Sequence, residues 1–168
     1  LVRSEVVRDA DGVRVAFIGA VVKSTPGLVM PSAVEGLRFL DEADSINARV
    51  TALRSGGVRA FVVVLHEGGR QASYPGDTRP GAEADVTGRI REVCRRLDAD
   101  VDVVVSGHAH QFTNARLPRD AGEPVLVTQA WSAGSAFAEI DLVIDRASRD
   151  VTSSVARIVT AWADSDAG

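Results

Sequence analysis

Three histidines, the only ones in the chain, each follow a predicted β-strand. His66 comes directly after the apolar run 61–65, and His108 and His110 follow closely after the apolar run 101–105. In an open α/β sheet, ligands bind in the crevice outside the carboxyl ends of the parallel strands. The placement therefore predicts that the three imidazoles converge on one metal or phosphate site. The alternative is that each histidine is a strand-end side chain bonded to a backbone carbonyl.

The spacing of the second and third histidines has a chemistry of its own. A His-x-His pair on a tight loop can offer two imidazoles to one cation or to two adjacent cations. Gly107, directly before this pair, is expected to let the backbone turn without a Cβ clash.

Two further features lie near the predicted strand ends. Glu67 opens a loop that extends to about Glu83, and a loop of this length is commonly functional, with a plain surface excursion as the alternative. Trp131 precedes the last predicted strands, where it either borders a base-binding or sugar-binding pocket or serves packing alone. No serine lies in a Gly-x-Ser-x-Gly turn, so a Ser-His-Asp mechanism has no support.

The elements that must position these residues alternate strand and helix, which predicts right-handed crossovers and a parallel βαβαβ core. After residue 110 short alternating runs predict antiparallel strands. Asp41 is the expected N-cap of the first helix, and the glycine pair after it is the expected stop. The predicted strands are 1–7, 13–22, 60–65, 101–105, 124–128, 136–145 and 151–160, and the predicted helices are 43–53 and 84–97.

Composition restricts the class of partner. The 168 residues carry 19 basic and 23 acidic side chains, for a net charge of −4, with no basic cluster. Neither a nucleic acid polymer nor an anionic membrane is therefore expected as a partner. The apolar runs are far shorter than the roughly 20 residues of a membrane helix. A single cysteine, Cys94, excludes an internal disulfide framework and a cysteine-based zinc site, so a small molecule is the expected partner.

Two segments resemble motifs of a known enzyme family. Residues 65–68 read Leu-His-Glu-Gly, and residues 102–111 read Asp-Val-Val-Val-Ser-Gly-His-Ala-His-Gln. They resemble the last two metal-binding motifs of the calcineurin-like metallophosphoesterases, in particular the branch of 5′-nucleotidases and 2′,3′-cyclic-nucleotide phosphodiesterases. The resemblance extends from about residue 12 to residue 145.

The resemblance implies a fold, an activity and a ligand set. The fold would be half of a four-layer α/β sandwich, and the parent enzyme would hydrolyse nucleotide phosphate esters with two divalent cations that clamp the phosphate. Carried over by position, His66 and His108 bind one cation and His110 the other, with Mn, Zn, Mg and Ca equally compatible. The resemblance also implies secretion or attachment to a bacterial cell surface.

The earlier motifs of the family are missing from the sequence. No Asp-x-His, no preceding Gly-Asp with its bridging carboxylate and no Gly-Asn-His occurs, so the catalytic histidine is expected upstream of Leu1. Residues 1–160 are interpreted as a partial catalytic domain and 161–168 as a tail. The N-terminal half and the nucleotide-binding domain of the parent are then partners that this chain lacks. We expect the isolated chain to be inactive, with an exposed sheet edge that favours a homodimer.

Two alternatives remain open on the residues alone. A mononuclear zinc hydrolase or lyase would use all three histidines and an open fourth position. A non-catalytic α/β binding module would use the histidines structurally.

Overall fold

A six-stranded sheet forms the centre of the computed structural model, which describes residues 4–73 and 76–161. Its strand order is β1-β2-β3-β6-β8-β7. Strands β2, β3, β6 and β8 are parallel, and β1 and β7 are antiparallel strands at the two edges. The strands are β1 Glu5–Ala10, β2 Val13–Val21, β3 Ala60–His66, β4 Arg70–Gln71, β5 Val86–Thr87, β6 Val103–Ser106, β7 Phe112–Leu117, β8 Val125–Ala130, β9 Ala136–Ile144 and β10 Val151–Thr160.

Two helices, α1 Glu42–Ser55 and α2 Ile90–Arg95, cover one face of this sheet. As predicted, Asp41 caps α1, since its side chain accepts the backbone N–H groups of Ala43 and Asp44 at 3.1 and 3.3 Å. The buried apolar face of α1 packs on the inward side chains of β2 and β3, which gives the larger of two cores. None of the described helices is long and apolar enough to cross a membrane.

The antiparallel hairpin of β9 and β10 packs on the other face of the sheet. A second core forms there between Val62, Val103 and Leu126 of the sheet and Ala156 of the hairpin. The layers are therefore helix, sheet and hairpin. This arrangement confirms the predicted fold class, a parallel βαβαβ core that continues into antiparallel strands.

The hairpin leaves the β1-β2-β3 side of its sheet face uncovered. We call this surface the open face and define it by four apolar side chains: Val6, Phe17, Val21 and Val64, which are 43%, 38%, 52% and 48% exposed. Strand pairing puts all four on the side of the sheet to which the side chain of His66 also belongs. A contiguous apolar surface is a candidate for contact with a further layer or partner.

The prediction of a helix over 84–97 is wrong at its N-terminal side. A 3₁₀ turn over Ala82–Asp85 covers the start of that range, strand β5 follows and pairs with β4, and α2 begins only at Ile90. The cause is Gly88, whose φ of +103° is incompatible with a right-handed helix. The helical periodicity is nevertheless real at the end of the range, where Ile90, Val93 and Leu97 are all buried as predicted.

The segment 67–83 lies against the other layers rather than projecting from the surface. Thr78 donates to the side chain of Asn114 on β7 at 2.7 Å and to the carbonyl of Ala156 on β10 at 3.0 Å. Gly76 accepts the N–H of Ile158 at 2.9 Å. Residues 74 and 75 of this segment and residues 162–168 of the predicted tail lie outside the described residues.

Candidate metal centre

His66 and His108 meet at the carboxyl edge of the sheet. Strand β3 ends at His66, and its parallel neighbour β6 ends two residues before His108, so the pairing brings the two side chains to one place. His66 Nε2 and His108 Nδ1 are 3.1 Å apart, and the rings meet edge-on with centroids 4.8 Å apart. Both side chains are exposed.

This pair of nitrogens fits one edge of a metal coordination shell. Two ligand nitrogens in a tetrahedral zinc site lie about 3.3 Å apart, given Zn–N bonds of about 2.05 Å. Imidazole suits zinc and the other first-row divalent ions, so the donor type is also compatible. The residues present therefore fit two ligand positions of a divalent cation.

His110 is also exposed, but it does not complete a three-ligand set. Among the residues that the structure describes, no group of three His, Cys, Asp or Glu side chains is placed to hold a metal ion. The structure thus brings together two of the three predicted side chains. The assignment of His110 to a second cation stays a prediction.

The turn that carries His108 and His110 is made by the histidines themselves. Their φ values are +68° and +53°, in the left-handed region that non-glycine residues seldom adopt, whereas Gly107 has no positive φ. A Cβ at position 107 would meet no atom closer than 3.9 Å, so the expectation that glycine is needed there to avoid a clash is wrong. Ala109 N–H donates to the Gly107 carbonyl at 2.7 Å, which tightens the loop. Strain of this kind clusters at functional sites.

Close backbone packing fixes the two histidine segments against each other. Gly107 N–H donates to the Glu67 carbonyl at 3.3 Å. A Cβ on Gly68 would lie only 2.1 Å from the Gly107 carbonyl oxygen and 2.3 Å from Gln129 Oε1. Only glycine at position 68 permits this contact, and the contact holds the backbone after His66 against the backbone before His108.

The side chain of Glu67 points away from the histidines into the helix-covered side. It is 7% exposed, its Oε1 accepts the N–H of Gly68 at 3.0 Å, and its Oε2 lies 3.2 Å from Arg89 Nε. Arg89 also pairs with Glu42 at the start of α1. Sequence reasoning missed this group, although the position of Glu67 directly after a predicted ligand is a signal that could have pointed to it.

Trp131 lies beyond the carboxyl end of β8, next to the His110 loop. Its backbone N–H donates to the Gln111 carbonyl at 3.1 Å, and the centroid of its ring lies 6.2 Å from that of Phe112. The side chain remains 40% exposed, on a backbone with φ of +55°. The tryptophan therefore combines packing with a surface beside the histidine loop.

An open cavity of about 540 Å³ lies against His66. The carboxyl ends of β2, β3 and β6 line it, with Val64 and Val105 as apolar walls. The cavity therefore connects His66 with Val21 and Val64 of the open face.

Comparisons with known proteins agree with this architecture. No protein-family model matches the chain. The endonuclease YhcR of Bacillus subtilis is 30% identical over 151 residues, which are 90% of this chain and 11% of that protein. The cell wall protein Lmo0130 of Listeria monocytogenes is 33% identical over 152 residues, covering 88% of this chain and 18% of that protein. The chain thus spans less than a fifth of the length of either relative.

Solved structures share the fold at lower identity. The calcineurin-like phosphoesterase YfkN from Bacillus subtilis superposes with a TM-score of 0.69 at 18% identity, over 93% of this chain and 50% of that one. A 5′-nucleotidase precursor from Thermus thermophilus gives a TM-score of 0.65 at 22% identity, over 94% and 29%. The resemblance inferred from the histidine motifs is confirmed, and the chain has the fold of the calcineurin-like phosphoesterases and 5′-nucleotidases.

Proposed function

We propose that this chain is part of the catalytic domain of a metal-dependent phosphoesterase that hydrolyses nucleotide phosphate esters. The observation that carries the proposal is the 3.1 Å approach of His66 Nε2 to His108 Nδ1 at the carboxyl edge of a phosphoesterase-like sheet. The names of the similar proteins, an endonuclease and a 5′-nucleotidase precursor, both denote hydrolysis at nucleotide phosphates. The net charge of −4 favours a small nucleotide over a polymer as the substrate.

In this proposal His66 and His108 hold one divalent cation and His110 contributes to a second. Such cations, when bound, withdraw charge from the phosphoryl oxygens and make water a competent nucleophile near neutral pH. The residues of this chain would hold and orient the cations. The imidazoles would donate their lone pairs to the cations, and the close contact of Gly68 with Gly107 fixes the backbone from which the two imidazoles extend. We assign no acid or base of the reaction to this segment, and place the catalytic histidine in the part of the parent that precedes it.

The open face supports the proposal that another part of the parent completes the site. Four exposed apolar side chains next to the histidine cavity are a surface that a further layer of the sandwich could bury. The chain spans only 11% of YhcR and 18% of Lmo0130, so most of each relative lies outside the matched region. In the isolated chain the same surface and the β1 edge favour self-association as a homodimer.

An extracellular location forms part of the proposal. One relative is named a cell wall protein, and one structural neighbour is a 5′-nucleotidase precursor. We therefore propose that the parent protein is secreted or held at the cell surface.

The test of the proposed function is His108→Ala in the full-length parent, assayed for phosphate release from a 5′-nucleotide with Mn²⁺, Zn²⁺ or Mg²⁺. Losing a metal ligand removes charge stabilisation from the transition state, so kcat/KM should fall by a factor on the order of 10² or more. Arg146→Ala, in the exposed turn between β9 and β10, is the matched control and should keep full activity. Near wild-type turnover in His108→Ala would refute the assignment.

A further inference from the structure

Two buried carboxylates share one guanidinium behind the histidine pair. Glu42, at the start of α1, is 1% exposed, and Glu67, directly after His66, is 7% exposed. Arg89 lies between them: its Nη2 is 2.7 Å from Glu42 Oε2, and its Nε is 3.2 Å from Glu67 Oε2. A buried carboxylate is costly unless it is paired, and Arg89 supplies the opposite charge to both glutamates beside the backbone N–H group that each of them accepts.

The bridge joins the segments that follow three neighbouring strands. Glu42 Oε1 accepts the N–H of Lys23, just after β2, at 2.6 Å. Glu67 Oε1 accepts the N–H of Gly68 after β3, and its carbonyl accepts the N–H of Gly107 after β6. The side-chain network therefore ties the segments after β2 and β3 together, and the backbone of Glu67 carries the connection on to the segment after β6, where the two histidines meet.

The backbone brings Arg89 to this position and keeps it there. A Cβ on Gly88 would lie 2.9 Å from the Cα of Gly69, so the start of α2 rests directly on the loop after His66. Ile90 N–H completes the contact by donating to the Gly68 carbonyl at 3.4 Å. These contacts on either side of Arg89 place it, directly before α2, beside the loop that follows His66.

Arginine is the residue type that this geometry requires. Its planar fork donates from separate nitrogens in fixed directions, which lets one side chain serve two carboxylates at once. A lysine would offer a single ammonium and could not reproduce both contacts with the same geometry.

We propose that Arg89 is a positioning residue for the metal centre: by bridging Glu42 and Glu67 it fixes the backbone that carries His66 against the backbone that carries His108. The metal part of this inference rests on the proposed function. Arg89 acts through Glu67 and does not itself touch a ligand of the centre.

The test is Arg89→Gln in the 168-residue chain, with two readouts. Amide hydrogen exchange measures how firmly Gly68 and Gly107 are held, and calorimetric titration with Zn²⁺ alone measures the affinity of the histidine pair. Because a hydrogen bond to a charged group contributes about 1.5–3 kcal/mol, we expect about tenfold faster exchange or more at both glycines and a Kd for Zn²⁺ about tenfold weaker or more. Arg95→Gln is the matched control, since Arg95 lies on the same helix and pairs with exposed Asp120.

Arg89→Lys keeps the positive charge and serves as the test if Arg89→Gln does not fold. It should likewise accelerate exchange at Gly68 and Gly107 and raise the Kd for Zn²⁺. Exchange at Gly68 and Gly107 that changes no more than in Arg95→Gln would overturn the proposal. Exchange that accelerates equally across the whole sheet would also overturn it, because the effect would then be general stability. If the wild-type chain takes up no Zn²⁺ while exchange at the two glycines responds as expected, the metal proposal fails and the positioning role of Arg89 is supported.

Discussion

At the scale of single residues, the histidine loop carries backbone strain that sequence patterns do not reveal. His108 and His110 both have left-handed φ values, which cost an ordinary L-residue about 1–2 kcal/mol. Glycine at either position would relieve that cost, and the sequence has histidine instead. The strain is therefore retained together with the imidazole, as expected where the side chain has a function.

A glycine–alanine pair at position 108 measures this strain. Both His108→Gly and His108→Ala remove the imidazole, but only alanine keeps a Cβ at φ +68°. We expect His108→Gly to be more stable than His108→Ala by about 1 kcal/mol, or about 2–4 °C in Tm for a chain of this length. At position 109, where φ is not positive, the order should be reversed: the wild type, with alanine, should have a higher Tm than Ala109→Gly. An equal Tm for the two position-108 variants would contradict the strain.

Gly68→Ala tests the contact that positions the two histidines. Its new Cβ would meet the Gly107 carbonyl oxygen at 2.1 Å and Gln129 Oε1 at 2.3 Å, so one backbone segment must move. We expect a loss of about 2–4 kcal/mol in the free energy of unfolding, measured by urea denaturation. The control is Gly27→Ala, where a Cβ meets nothing within 4 Å. Similar stability of Gly68→Ala and Gly27→Ala would show that position 68 has room for a Cβ.

At the scale of secondary-structure elements, the sequence predicted the strands that are apolar on both faces. Strands β3 and β6 are continuous runs of apolar residues, and their carboxyl ends could be located from the sequence together with His66 and His108. Strand β7 was missed because it carries polar residues that are nevertheless buried, among them Thr113 and Asn114. Asn114 is satisfied by partners distant in sequence: it donates to the carbonyls of Gly76 and Ala156.

The same reason explains what was missed or misassigned elsewhere. Strand β8 was expected to be antiparallel, yet it pairs parallel with β6 as well as antiparallel with β7. Arg89 lies 47 positions from Glu42, so no periodicity connects them. Local patterns encode burial and turns, whereas these contacts depend on which elements become neighbours in the folded chain.

Asp102, directly before β6, makes the stability of the fold depend on pH. Its Oδ2 accepts the N–H of Phe61 at 2.8 Å, which extends the pairing of β3 and β6, and burial raises the pKa of Asp102 to about 7. The folded state therefore favours the protonated acid. This contribution to stability is fully present below the unfolded pKa of 3.8 and is lost as the pH rises through about 7.

We expect Asp102→Asn to remove that pH dependence while keeping an oxygen that accepts the Phe61 N–H. The free energy of unfolding of the wild type should fall between about pH 4 and pH 7 relative to the variant, by on the order of 2–4 kcal/mol at most. Denaturant titrations at several pH values measure the difference. Asp11→Asn, in the exposed β1-β2 turn, should leave the wild-type profile unchanged. If the free energy of unfolding of Asp102→Asn varied with pH in the same way as that of the wild type, the raised pKa of Asp102 would be contradicted.

At the scale of the whole molecule, the two faces of the central sheet differ in how far they are covered. Within residues 4–73 and 76–161, two cores are buried, one on each face of the central sheet. The open face, by contrast, exposes four apolar side chains beside the histidine cavity. Folding and catalysis therefore place different demands on this segment: folding draws on the two cores, whereas among the described residues only two of the three candidate ligands are in contact.

We accordingly expect the isolated chain to be folded yet inactive on nucleotide phosphate esters. The decisive assay incubates the purified chain with Mn²⁺, Zn²⁺ or Mg²⁺ and a 5′-nucleotide, and measures released phosphate, with circular dichroism to establish that the chain is folded. Metal-dependent release that disappears in His110→Ala would contradict the expectation and would favour a self-sufficient three-histidine centre.

The physical reason to expect inactivity is charge. Two divalent cations about 4 Å apart repel strongly, and neutral imidazoles cannot offset that repulsion as a bridging carboxylate does. Among the described residues no third His, Cys, Asp or Glu side chain joins the pair of His66 and His108. The acid that would protonate a leaving group is likewise not assigned to this segment, and each missing component of this kind costs orders of magnitude in rate. Adding the preceding part of the parent to the same assay should therefore restore turnover, because it would supply charge, acid and cover for the open face together.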